Sequence, residues 1–399
     1  MMRQIRVAWA IAVFLLCTAS AAFAGASREA DPAYLATIPD HPELGLPRGK
    51  TAEERAMPEL ALPSFPTVAP SGPVRAQAEY EPTHGILIRW GNYDALQTSM
   101  VVPLTMNVPA SDVWVVVSGS SQQNSATNVL QGGGANMAHV HFVTANTDSV
   151  WMRDYGPRFV GDSGRRAIVN HTYNRSSRPN DNLFPSVFGT YLNESVYDIP
   201  LRLGGGNFHL FRNRDAFMTR LVTNENLALT EQQIKDDFAL YDGVNVTLTD
   251  PFPTSYDSTQ HIDMWMLPLA DNKVIIGQYA AGEGGGVPKT VTDATATDLT
   301  SRGYTVYRTE GWHTGSGNNV VHYTYTNSVI VNQVVLICKF GGSNVTRDAT
   351  ALATYQAALP ASNIVQVDCS GIIGNAGAIH CIVMHVPDWM YRDTFGDGF

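Results

Sequence analysis

A mixed α/β domain, rather than a β-sandwich, is predicted by three observations on this 399-residue chain. Short β-rich runs alternate with single helical segments. Glycine clusters at Gly132 to Gly134, Gly204 to Gly206, Gly284 to Gly286 and Gly341-Gly342 recur at roughly even intervals, the mark of a weak internal repeat of strand and helix units. From Val74 onward about 325 residues remain, enough for one large core or two smaller ones.

The strands expected are Gly85 to Trp90, Val113 to Ser118, His139 to Thr144, Val274 to Tyr279, Ser328 to Val331 and Ile379 to His385, each rich in β-branched or aromatic residues. Helices are expected at Ser125 to Leu130, Glu231 to Phe238, Thr292 to Arg302 and Ala349 to Ala358, the last with an apolar face. No glycine cluster is a phosphate loop. Gly284-Gly285-Gly286-Val287-Pro288-Lys289-Thr290 lacks the glycine before lysine and has proline where a backbone donor is needed.

The two ends read differently. In residues 1–24, Arg3 and Arg6 precede an apolar stretch from Val7 to Cys17 and an Ala22-Phe23-Ala24 cleavage site, so the protein is expected to be secreted or periplasmic. That stretch is too short to span a bilayer, and nothing later is long and apolar enough, so no membrane span is expected. Leu15-Leu16 before Cys17 lacks the small residue that lipid attachment needs, which favours soluble export. Residues 25–73 hold 9 of the 22 prolines without sustained apolar periodicity and read as a linker or pro-segment. Residues 391–399 form a short tail. The formal charge of −10 becomes more negative by two once Arg3 and Arg6 leave, which argues against a nucleic-acid partner.

Removal of the leader leaves Cys338, Cys369 and Cys381. An odd count in an oxidising compartment leaves at least one thiol free, and Cys381 has a functional reason to be that one. It lies where a glycine-rich loop, Gly374-Asn375-Ala376-Gly377, enters a short apolar strand, a place from which a nucleophile can be aimed. Cys338 and Cys369 are a candidate disulfide, with two buried small side chains as the alternative.

Four other segments supply what such a thiol needs. In Trp151-Met152-Arg153-Asp154-Tyr155-Gly156-Pro157, a tight turn would expose the Asp154 carboxylate beside a Trp151 wall. In His261-Ile262-Asp263-Met264-Trp265, strand alternation would put His261, Asp263 and Trp265 on one face, an imidazole beside a carboxylate. Asn327 opens an apolar strand as a polar cleft residue or a turn. Arg175 and Arg178, in a Ser/Pro/Asn loop, form either a movable fork for a carboxylate or a solvated basic loop. No CxxC or HxxxH spacing supports a metal, and none is expected. A thiol, an imidazole and two carboxylates suit a planar cation: paired acids hold a guanidinium in fork geometry while its carbon faces the sulfur.

Trp151 to Pro157, Gly204-Gly205-Gly206-Asn207, His261-Ile262-Asp263 and Gly377-Ala378-Ile379-His380-Cys381 together resemble the ordered motifs of the bacterial peptidylarginine deiminase and agmatine deiminase family, in the guanidine-modifying (pentein) superfamily. Ala78-Glu79-Tyr80-Glu81-Pro82 resembles the family's opening. The resemblance implies a five-bladed pseudo-symmetric α/β propeller of ββαβ units, with residues 74–390 as the deiminase catalytic domain. It implies Cys381 as nucleophile, His261 as acid and base, Asp154 and Asp263 as guanidinium holders, Asn327 as a supporting residue, and no cofactor.

The substrate implied is an arginine-containing peptide or protein, through a loop that resembles the carboxylate grip of secreted family members and so favours C-terminal arginine. Here Ser176 and Ser177 separate Arg175 from Arg178, one residue more than in the family's loop, so internal or free arginine is also open. Agmatine, which lacks a carboxylate, is the competing substrate. An inert binder of arginyl peptides would not need the thiol. A cysteine peptidase would not need two cation-holding acids.

Overall fold

The computed structural model describes residues 29–64 and 67–388; the expected leader and tail lie outside them. The described residues form five separate sheets, and each contains the same unit of a hairpin, a helix and a parallel return strand. In one, the antiparallel pair Arg158–Asp162 and Arg165–Tyr173 leads through the helix Pro179–Leu192 to Val196–Leu203, parallel to the second strand. The pattern recurs with the helices Glu231–Asp242, Val287–Ser301 and Val345–Ala358. This is the ββαβ unit that the family resemblance implies, where the glycine spacing indicated only a repeat of strand and helix units, and it is joined by the crossover that a parallel pair requires.

The fifth unit is assembled from the two ends of the domain. Val383–Val386 pairs antiparallel with Gly85–Arg89, which runs parallel to Asp112–Val117 after the helix Asp94–Met106. Cys381 is thereby carried into the same fold as elements nearly three hundred residues earlier. The strand Ile86, Leu87 and Ile88 is fully buried on both faces, as expected where helices cover parallel strands.

Local chemistry sets the boundaries. Thr230 and Gln233 form a capping box at the start of Glu231–Asp242, and Gly243 ends it in the left-handed region at φ +68°. A Cβ on Gly243 would also meet the carbonyl oxygen of Val74 at 2.0 Å. All four expected helices occur, extended at one or both ends; Asp94–Met106 and Pro179–Leu192 were not anticipated. Cys338 and Cys369 are disulfide-bonded and Cys381 is free, as the cysteine count suggested. No helix among the described residues is long and apolar enough to cross a membrane.

The proline-rich segment, read as a linker or a pro-segment, packs on the domain: Arg48 is 0% and Glu54 1% exposed, and a short helix Ala52–Ala56 carries its own Thr51/Glu54 capping box. Its polar side chains find partners on the domain that low periodicity could not disclose.

Candidate active site

Six of the predicted site residues converge in one buried place. Trp151, Asp154, His261, Asp263, Asn327 and Cys381 are all 0% exposed. Their local structures differ from those expected. Asp154 lies buried in the short helix Met152–Tyr155 rather than exposed on a tight turn, with its backbone carbonyl bonded to His171 Nε2. His261 and Asp263 come from a 3-10 turn, Ile262–Met264, not a strand; period-two alternation over three residues fits a turn equally well. Gln260 precedes them at φ +60°, a left-handed conformation uncommon for this residue, and its carbonyl is held by Thr219 Oγ1. Trp265 points away from the site and stacks on Phe252. Cys381 is in a 3-10 turn, His380–Ile382, just before the strand Val383–Val386.

A guanidinium already fills this place, and it belongs to Arg48. Arg48 donates from Nε and Nη2 to the two oxygens of Asp154, both at 2.9 Å, and from Nη2 to Asp263 Oδ2 at 2.8 Å. The same Nη2 lies 2.8 Å from His261 Nδ1. Nδ1 also lies 3.3 Å from Asp154 Oδ1, and Nε2 has no partner among the described residues. Cys381 Sγ donates toward Asn327 Oδ1 at 3.3 Å and Asp263 Oδ2 at 3.7 Å.

Glycines make room for the cation. A Cβ at Gly206 would lie 1.9 Å from Arg48 Nη2 and 2.8 Å from oxygens of Asp154 and Asp263. At Gly204 it would strike His261 Cε1 at 2.6 Å; at Gly377 it would strike Trp151 at 2.6 Å and reach both Arg48 Cδ and Cys381 Sγ at 3.0 Å. The tri-glycine motif is thus the wall of a guanidinium slot.

Electrostatics reflect these contacts. Burial opposes ionisation of Asp154, but Arg48 and then His261 outweigh it and hold the carboxyl well below the usual range. Asp263 is likewise held low: burial opposes, while Arg48 and His380 prevail. Burial pushes the Cys381 thiol well up; Arg48 pulls it down, and Asp263 and Asp154 push it up again. In this closed arrangement burial and the two acids outweigh the pull of the Arg48 charge on the thiol.

Several participants carried no role in the sequence reading. His380 bridges Asp263 Oδ2 at 2.9 Å and Glu79 at 3.0 Å, while its backbone N–H donates to Asn327 Oδ1. It positions the acid that Arg48 meets. Glu79, His209 and His380 lie close enough to hold a cation, but Glu79 is already bonded to Arg153 at 2.8 Å and to His380. Arg48 was missed altogether; its only sequence signal is an arginine between Pro47 and Gly49 in a segment without a core of its own.

Arg175 and Arg178 do not form one fork. Arg175 Nε donates to the Arg48 carbonyl at 2.8 Å. Arg178 donates to the Pro47 carbonyl at 2.6 Å and holds the Glu54 carboxylate through Nε and Nη2. The extra residue between them spreads the pair over successive peptide units.

Comparison with known proteins agrees with this geometry. Residues 75–387 match the family model of Porphyromonas-type peptidyl-arginine deiminase. The chain belongs to that family. A Selenomonas ruminantium protein named "Putative agmatine deiminase" is 21% identical over 78% of this chain and 95% of its own length. Among solved structures, a substrate-bound agmatine deiminase variant of C. jejuni aligns with a TM-score of 0.68 at 16% identity, covering 83% of this chain and 100% of that one. The agmatine deiminase of Enterococcus faecalis gives 0.66 at 18% identity, covering 79% and 96%. The fold is that of the pentein superfamily, and the protein is a hydrolase of guanidino C–N bonds.

Proposed function

We propose that the protein is an exported deiminase of arginine carried in peptides or proteins, C-terminal arginine included, yielding citrulline and ammonia. One observation carries the substrate class: the arginine in the slot is part of a peptide whose main chain is gripped on both sides. Trp151 Nε1 donates to the Leu46 carbonyl at 2.7 Å, and the Arg48 N–H donates to the Asn375 carbonyl at 2.9 Å. Arg175 faces the Arg48 carbonyl, where the carboxylate of a C-terminal arginine would lie. Export is supported by the leader-like residues 1–24 and by the Cys338–Cys369 disulfide.

The proposed chemistry uses the groups in contact. The Cys381 sulfur attacks the guanidinium carbon while Asp154 and Asp263 hold the cation. The thiol proton passes to His261 and from it to the nitrogen beside Nδ1, which departs as ammonia and leaves a thiouronium. Water deprotonated by the same imidazole then displaces the sulfur and leaves a ureido group. Asn327 orients the thiol.

A second reading, agmatine deiminase, is favoured by the names of the relatives above. Agmatine has neither a carbonyl for Arg175 nor an amide for the Asn375 carbonyl. The deciding experiment measures ammonia and product mass with a C-terminal-arginine peptide, an internal-arginine peptide, free arginine and agmatine. The wild-type chain, Arg48→Gln and Cys381→Ala are compared. Cys381-dependent turnover of peptides well above that of agmatine is expected; turnover of agmatine alone overturns the reading.

A further inference from the structure

We infer that residues 46–50, Leu-Pro-Arg-Gly-Lys, occupy the substrate groove as an in-cis pseudosubstrate, and that the groove, once vacated, takes an arginine followed by glycine inside an extended peptide. The inference rests on the proposed peptide substrate only for turnover after binding.

Three observations support it. The first is completeness of the mimicry. Arg48 meets both acids and the imidazole, and its carbonyl, its N–H and the two preceding carbonyls are each bonded to the domain. A surface arginine has no reason to be buried to 0% exposure with three ionisable partners unless the slot is made for a guanidinium.

The second is anchorage beyond the slot. Downstream, Glu54 accepts Arg178 in a bidentate ion pair and also accepts from Ser177 Oγ at 2.7 Å. Upstream, the His41 N–H donates to the Asn92 carbonyl at 2.6 Å. A segment tethered on both sides competes at an effective concentration on the order of millimolar, so a free peptide enters only when the strap leaves. In the closed state the thiol is fully buried and Nη1 of Arg48 has no partner among the described residues. The cation is thus held through Nε and Nη2 only, and no exposed face of the site admits the water that hydrolysis needs.

The third is the residue after the arginine. A Cβ on Gly49 would sit 2.5 Å from Ser258 Oγ and 3.0 Å from Ser258 Cβ. Ser258 is exposed and its hydroxyl can turn aside, but its Cβ stays close, so glycine fits this wall without adjustment and any side chain crowds it. An arginine that ends a peptide presents nothing at this point, so both arginine-glycine steps and C-terminal arginines fit.

The test is binding without turnover. Fluorescent Leu-Pro-Arg-Gly-Lys amide, its Leu-Pro-Arg-Ala-Lys counterpart and Leu-Pro-Arg carboxylate are titrated by anisotropy into full-length Cys381→Ala and into the double variant Arg48→Gln/Cys381→Ala. Gly49→Ala/Cys381→Ala, which keeps the guanidinium but crowds Ser258, serves if loss of Arg48 impairs folding. The glycine peptide is expected to bind both opened variants at least tenfold more tightly than Cys381→Ala, and to outbind the alanine peptide at least tenfold. Equal binding to closed and opened chains overturns the strap, and equal binding of the two peptides overturns the glycine preference. Citrulline at position 48 in the wild-type chain, absent in Cys381→Ala, overturns the pseudosubstrate assignment by making the strap a substrate. Tight binding to the opened chains without turnover by Arg48→Gln would leave the strap standing and remove the deiminase reading.

Discussion

Two buried arginine–aspartate clusters lie among the described residues, and they differ in how many contacts hold the cation and in whether its charge is kept. Arg48 makes four polar contacts in the slot, its guanidinium is held firmly charged despite burial, and Asp154 and Asp263 are held ionised. Arg158 reaches Asp242 through a single contact at 3.2 Å and lies over the rings of Phe208 and Phe238 at 5.4 Å. There burial prevails: it lowers the Arg158 guanidinium and raises the Asp242 carboxyl. Asp242 is also the last residue of the helix Glu231–Asp242, where the dipole disfavours a negative charge. Converging donors and acceptors, not burial of charge as such, distinguish the slot.

The comparison breaks most visibly at Asp154. Asp154→Asn keeps the shape but removes the charge opposite two guanidinium donors, a loss of about 3–5 kcal/mol for a buried pair deprived of one partner. In the Arg48→Gln background, kcat/KM for an arginyl peptide is expected to fall about a thousandfold. A fall of less than tenfold would mean that Asp263 alone holds the cation.

Asp242 should behave in the opposite way. Asp242→Asn leaves the slot intact, so turnover is expected to persist while stability drops at or below the low end of the roughly 3–5 kcal/mol range. Because burial already weakens both ions, replacing the pair together, as Arg158→Met with Asp242→Leu, is expected to recover most of that loss in denaturant unfolding. If the double variant is less stable than Asp242→Asn, the aromatic stacking of Arg158 matters more than its ion pair.

The same contrast explains what the sequence disclosed. Cys381, His261, Asp154 and Asp263 were legible because thiol, imidazole and carboxylate carry their chemistry in any local conformation, so placing His261 and Asp263 on a strand instead of a 3-10 turn did no harm to the site. A repeat of strand and helix units was faintly legible in glycine spacing, but its ββαβ form came only with the family resemblance, and the fifth unit, which pairs Val383–Val386 with Gly85–Arg89, depends on chain ends meeting and leaves no local trace. The helices Asp94–Met106 and Pro179–Leu192 were hidden by Pro103 and Pro185 inside them. Arg48 was illegible for a different reason. Its burial depends on partners 106, 213 and 215 residues away, and proline-rich texture reads as a linker whether or not such partners exist. Arg178 was legible as a binding residue but not as a holder of Glu54, since both fates call for the same guanidinium.

A third cluster lies behind the slot and sharpens the comparison through pH. Glu79 accepts from Arg153 and His380, and His209 and His385 lie 3.8 and 4.0 Å from its carboxylate. Burial lowers both His209 and His385 to about 4, with Glu79 pulling upward only in part. Between about pH 6.5 and 4 the unfolded chain therefore binds protons at these rings that the folded chain refuses, so stability is full above 6.5 and is lost as pH falls through that window. Each ring contributes up to about 3 kcal/mol. Glu79, held well below its usual range by Arg153, His380 and His385 against burial, adds its own loss only further into acid. Urea unfolding of His209→Gln from pH 7 to 4.5 is expected to show a shallower decline than wild type, with His385→Gln similar and the double variant shallower still. An unchanged slope in the double variant would mean that these imidazoles take up protons in the folded protein, and that Glu79, like the two acids in the slot, is surrounded by positive charge rather than by neutral rings.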